Sequence, residues 1–170
     1  PAFMTAFVAI NTQHPPLDKP EVRQAINLAF DRNSYLKAVF ESSGQAAKGV
    51  YPATTWSYAK DLPEYPHDPQ KAKALLAKAG LKDGFSTTIW TRPTGSVLNP
   101  NPSLGAQLLQ ADLAKVGIKA DIRVIEWGEL IRRANLRAAC VSVHAVMVIT
   151  QSGMQGQRIK RLGITGKPSL

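Results

Sequence analysis

Between Asp68 and Ile149 the chain changes hydrophobic period repeatedly, and this alternation constrains its fold more than any other feature. Asp68-Pro69 pairs a cap with proline at the first helical position, and Ala72, Leu75, Leu76 and Ala79 form an apolar stripe that Gly80 ends. Phe85 to Thr91 is rich in β-branched and aromatic residues and predicts a strand. Arg92 to Pro102 holds three prolines, a glycine and two asparagines, which predicts a loop. Ser103 reads as the cap of a helix with Leu104, Leu108, Ala111 and Val116 near one face, Leu109 and Leu113 widening it, and Gly117 as its stop. Ile118, Ala120, Ile122 and Val124 then alternate with Lys119, Asp121 and Arg123, a second strand. Trp127 to Leu136 reads as a short helix and Ala139 to Ile149 as a third strand. Two successive crossovers of this length favour neighbouring parallel strands with helices packed on the sheet. The expected class is α/β with a mainly parallel sheet.

Upstream, Val22, Ala25, Ile26, Ala29 and Phe30 follow helical spacing behind Pro20, with Asp18 as the expected cap. Asp31 ends this helix and caps the next, whose apolar face is Tyr35, Leu36, Val39 and Phe40 and whose stop is Gly44. Residues 3–11 read as a mostly buried strand that breaks at Pro15-Pro16. Prolines at 52, 63, 66 and 69 leave the stretch from Ser42 irregular, with Trp56 and Tyr58 packing onto the core or lining a cleft.

Function classes narrow by exclusion. The chain has 170 residues, about one domain's worth, and no apolar run near the ~20 residues that span a bilayer. The start Pro-Ala-Phe-Met lacks the charged region and cleavage site of a secretory leader. A lone cysteine, Cys140, leaves no internal disulfide and reads as a small buried hydrophobe. His14, His67 and His144 are dispersed without metal-ligand spacing, and phosphate-loop, nucleophile-elbow and zinc-protease motifs are missing. These absences argue against an enzyme and against a cofactor. Seven basic residues and no acid fall in 130–170, so the net charge of +9 belongs mostly to the tail, which is not a whole-molecule footprint for nucleic acid.

Four segments together resemble the extracytoplasmic solute-binding proteins of peptide-type ABC importers. They are Asn11 with Pro16-Leu17-Asp18, Val22-Arg23-Gln24-Ala25 and Ala29-Phe30-Asp31-Arg32; the lysine-rich helix from Tyr65-Pro66-His67-Asp68-Pro69 to Ala79-Gly80; Asn99-Pro100-Asn101 followed by Ala106 to Ile118; and Glu126-Trp127-Gly128-Glu129. The resemblance runs from Phe7 to Ala134. It implies a periplasmic receptor of two lobes joined by a hinge, which closes on a peptide or similar solute and delivers it to a permease in the inner membrane. By the same resemblance the chain is part of one lobe: residues 1–136 from the C-terminal half, then 137–170, a strand with a basic, aberrant tail. The receptor is expected to be a monomer without nucleic-acid partners.

The resemblance also locates a site. It turns the loop from Trp90 to Asn99 toward the cleft, making Trp90, Arg92, Ser96, Leu98 and Asn99 the candidate ligand-binding residues. Dipeptide-binding members carry an arginine and an aromatic just before the Asn-Pro motif, and the arginine grips the peptide carboxylate. Ser96 and Leu98 stand at those positions, so Arg92, four residues earlier, either substitutes or is a solvated loop residue. Dipeptides, longer peptides, antimicrobial peptides and haem all stay open as ligands. The acidic stretch expected after the third strand is missing, as a shifted reading frame would produce; the codons of Val146 to Thr150, read one base earlier, permit Gly-Asp-Gly-Asp-Tyr. Two other readings compete: a small basic α/β protein binding an anionic partner such as nucleic acid, and a small α/β enzyme with an unrecognised site.

Overall fold

The computed structural model describes residues 6–49, 58, 61–62, 64–96, 99–136 and 143–144. The elements run β1 (Ala9–Ile10), α1 (Pro20–Ala29), α2 (Arg32–Phe40), α3 (Pro69–Lys78), β2 (Phe85–Thr91), α4 (Pro102–Lys115), β3 (Ile118–Val124), α5 (Trp127–Leu136) and β4 (Val143–His144). The fold is mixed α/β. Its four-stranded sheet has the order β1-β4-β2-β3, with β2 parallel to both β3 and β4 and β1 antiparallel to β4. The crossover through α4 joins neighbours, as expected. The one through α5 does not: β4 lies on the far side of β2, so the chain steps back over that strand.

The β2–β3 register pairs Phe85, Thr87, Ile89 and Thr91 with Ile118, Ala120, Ile122 and Val124, placing Ile89, Ile118, Ala120 and Ile122 on one face and Trp90 on the other. Helices α1, α3 and α4 contribute Val22, Ala25, Ile26, Leu28, Ala29, Ala72, Leu76, Ala106, Leu109 and Leu113 to the same core. Two close contacts set α1 antiparallel to α3. The amide of Asp68 donates to the Leu28 carbonyl at 2.8 Å, and the Lys19 ammonium donates to the Ala79 carbonyl at 2.8 Å. At the start of the strand pair, Gly84 has φ +77° and lies so near Gly117 that a Cβ would sit 1.9 Å from its carbonyl oxygen, a position only glycine can fill.

Several local expectations need correction. Asp18 does not cap α1; Lys19 occupies that position without a side-chain hydrogen bond, and Arg23 donates to the Asp18 carbonyl. Phe30 is only half-buried, while Leu28 joins the core. Helix α2 stops at Glu41, in the left-handed region at φ 49°, well before Gly44. Asn101, not Ser103, caps α4, its side-chain oxygen accepting from the Leu104 amide at 3.0 Å with Pro102 at the first helical position. The buried face of α4 is Pro102, Gly105, Ala106, Leu109, Asp112 and Leu113, which leaves Ala111 exposed. The first strand is reduced to Ala9–Ile10 among the described residues and is half-buried. Asp31 and Asp68 do cap α2 and α3, accepting from Ser34 and Lys71 amides at 3.1 and 2.9 Å. Trp56, Cys140 and most of the stretch from Ala139 to Ile149 lie outside the described residues.

Candidate functional site

Because β2, β3 and β4 run parallel, their carboxyl ends share one edge of the sheet, where ligands of open α/β sheets bind. The loop after β2 and the start of α5 meet there. The ladder continues one residue past β3, with the Ile125 amide donating to the Thr91 carbonyl at 2.8 Å. Arg92 therefore leaves β2 beside the point where α5 begins at Trp127. Its guanidinium carbon lies over the Trp127 ring, 5.5 Å from the centroid, a cation–π contact.

Arg92 is thus in contact with an aromatic ring on a neighbouring element. It is half-buried, and its Nη2 is shielded from solvent with no hydrogen-bond acceptor among the described residues. Nη2 is therefore a guanidinium donor left without a partner among the described residues. A buried donor without an acceptor costs about 1–3 kcal/mol, more when charged, which makes the site receptive to an anionic acceptor.

The rest of the loop is folded back on itself. Ser96 and Asn99 exchange backbone hydrogen bonds at 2.9 and 3.0 Å. Gly95 approaches the Pro100 carbonyl so closely that a Cβ would lie 2.2 Å from its oxygen. The Thr91 hydroxyl donates to the Pro102 carbonyl at 3.2 Å and ties the loop's far end to the strand. Asn99 presents a buried Oδ1 with no donor among the described residues, a second open valence in the loop. Trp90 is only 3% exposed and sits opposite Arg123 and His144 in the sheet, on the face away from Ile89. Leu98 lies outside the described residues.

Sequence reasoning placed Trp127 at a helix start but not at the site. The usable signal was the parallel register: residues just past the ends of two adjacent parallel strands emerge side by side. Among the described residues no three His, Cys, Asp or Glu side chains converge as a metal site would need, and no helix is long and apolar enough to cross a membrane.

Comparison with known proteins supplies the wider frame. The family model described as bacterial extracellular solute-binding proteins, family 5 Middle, matches residues 1–152, reaching past the Phe7–Ala134 stretch that carries the resemblance. Over 134 residues the chain is 75% identical to "Probable di/tripeptide-binding protein 5" of Pseudomonas aeruginosa, an alignment covering 79% of this chain and 25% of the relative. It is 43% identical over 129 residues to heme-binding protein A of Haemophilus influenzae, covering 76% and 24%. The crystal structure of a dipeptide binding protein from Pseudoalteromonas sp. SM9913 in complex with Met-Leu superposes with a TM-score of 0.78 at 34% identity, covering 83% of this chain and 27% of that one. The chain thus spans about a quarter of the length of these relatives.

Proposed function

From the premise that this chain belongs to the bacterial extracellular solute-binding proteins of family 5, we propose that it forms part of one lobe of a longer periplasmic receptor. That receptor closes on a peptide or peptide-like solute and hands it to an ABC permease in the inner membrane. It works as a monomer by hinge closure, without catalysis, cofactor or nucleic acid. Residues 1–136 are the lobe's contribution; of 137–170 only Val143–His144 is described, as β4, and the sequence beyond it is basic.

The observation that carries the ligand reading is Arg92. A planar, permanently charged guanidinium with a shielded and unpartnered Nη2 suits a carboxylate, whose two oxygens match its forked donors. Ser96, Leu98 and Asn99 belong to the same loop, whereas Trp90 lies within β2 and not in the loop; in this reading buried Trp90 backs the loop, while Asn99 offers its Oδ1 to an N–H of the solute. Peptides end in a carboxylate, and haem carries two propionates, so the arginine's chemistry serves either kind of solute.

Calorimetric titration of the full-length protein carrying this chain, with Met-Leu and its C-terminal amide, tests the assignment. Arg92→Ala should weaken the free acid by about 1.5–3 kcal/mol, the range for hydrogen bonds to charged groups, and the amide much less. Equal losses for both ligands would remove Arg92 from the site.

A further inference from the structure

The Arg92–Trp127 contact has a consequence for how the site is prepared before any solute arrives. An arginine side chain carries about 2 kcal/mol of rotamer entropy, and a loop arginine free in water must give it up on capture. Here the guanidinium already lies over the indole, 5.5 Å from the ring centroid. A guanidinium over a ring face can still spend its N–H groups on in-plane hydrogen bonds, and Nη2 has no acceptor among the described residues. Trp127 is itself held at the first position of α5, whose next turn is anchored by Leu130, 1% exposed, while 38% of Trp127 stays open at the sheet's edge. Arg92 and Trp127 are 35 positions apart, and they meet because Thr91 pairs with Val124.

We propose that Trp127 is a positioning residue for the carboxylate contact: it holds the Arg92 guanidinium in its capture orientation in the empty receptor. The inference rests on the reading of Arg92 as the carboxylate contact. Trp127 itself touches no solute in this scheme; its contribution reaches the solute only through the arginine.

The test uses the full-length protein with Met-Leu and Met-Leu amide as probes. Trp127→Leu keeps apolar bulk and removes the ring, and should weaken Met-Leu roughly 2- to 30-fold, the range that cation–π energies translate into. Trp127→Phe restores a smaller aromatic face and should recover most of that loss. In the Arg92→Ala background, Trp127→Leu should have no further effect. A readout independent of binding is the Arg92 side-chain N–H resonance, identified by its disappearance in Arg92→Ala. The indole ring current should shift it upfield, and Trp127→Leu should return it to the position of a solvated arginine. If Arg92→Ala weakens acid and amide equally, or the wild type binds the amide as tightly as the acid, the carboxylate reading falls and this inference with it. If Arg92→Ala discriminates between the probes but Trp127→Leu adds its full loss on top of it, or leaves the resonance unmoved, the positioning role alone is overturned.

Discussion

Asp112 is a buried acid that joins two parts of the chain distant in sequence, and its removal should be felt more than its replacement by asparagine. It sits on the buried face of α4 at 7% exposure. One oxygen accepts from the Asp31 backbone amide at 2.9 Å, at the junction of α1 and α2, and the other accepts from the Lys115 ammonium at 2.7 Å. The lysine side chain is mostly exposed, so that ion pair contributes at most ~1 kcal/mol. The Asp31 amide matters more. Asp112→Ala leaves it without its acceptor at a cost of about 1–3 kcal/mol, offset by up to ~0.7 kcal/mol of better helix propensity. The expected net loss is roughly 1–2 kcal/mol. Asp112→Asn keeps a neutral oxygen for the same amide and should lose less than about 1 kcal/mol, most of it the Lys115 pair. Urea unfolding followed by circular dichroism on the full-length protein gives both numbers. If alanine and asparagine cost the same within ~0.5 kcal/mol, the typical scatter of surface substitutions, the Asp31 amide is not what Asp112 holds.

Two further outcomes follow from local geometry. Gly84→Ala and Gly80→Ala both place a side chain at positive φ, but only at Gly84 would the new Cβ collide with backbone; Gly80→Ala should cost about 1–2 kcal/mol and Gly84→Ala clearly more, and comparable unfolding midpoints would argue against the close approach to Gly117. The Asp31 carboxyl is held below its ordinary pKa, first by the Ser34 hydroxyl at 2.6 Å and then by the Ser34 amide. A lowered folded-state pKa contributes stability that is present above the unfolded value and is lost as pH falls through the folded one, so this contribution disappears in the acid range below about pH 4. Ser34→Ala should move the Asp31 carboxyl titration upward in a carbon-detected NMR experiment, and an unmoved titration would mean the hydroxyl is not its main partner.

What could be read from the chain alone divides along physical lines. Elements whose signals are local were legible: α3 from Asp68-Pro69 and Gly80, β2 from its β-branched run, β3 from strict alternation. The α4 cap was misplaced at Ser103 although the same grammar that located α3 was present in Asn101-Pro102, an acceptor side chain before a proline. The face of α4 was misread for a different reason. An aspartate at 112 looks like a solvent residue until its acceptor role for an amide 81 positions away is known. The place of β4 beside β2 rather than β3 is likewise a long-range choice, made by pairing that no local pattern encodes.

The site shows the same division most sharply. Its loop was legible because proline, glycine and asparagine announce loops, and Arg92 was conspicuous as a charge within it. Whether that charge was solvated or held depended on a second strand. Parallel pairing of Thr91 with Val124 and the Ile125–Thr91 hydrogen bond bring the residue after β2 against the first residue of α5. A slip of one residue in that register would turn the apolar face of β3 toward the opposite side of the sheet, exposing Ile118, now fully buried, and would separate the arginine from the indole. The hydrophobic register that stabilises the sheet is therefore also what sets the arginine's environment. Substitutions at Ile89 or Ile122, paired in the core face, should disturb the Arg92–Trp127 contact only insofar as they loosen that register.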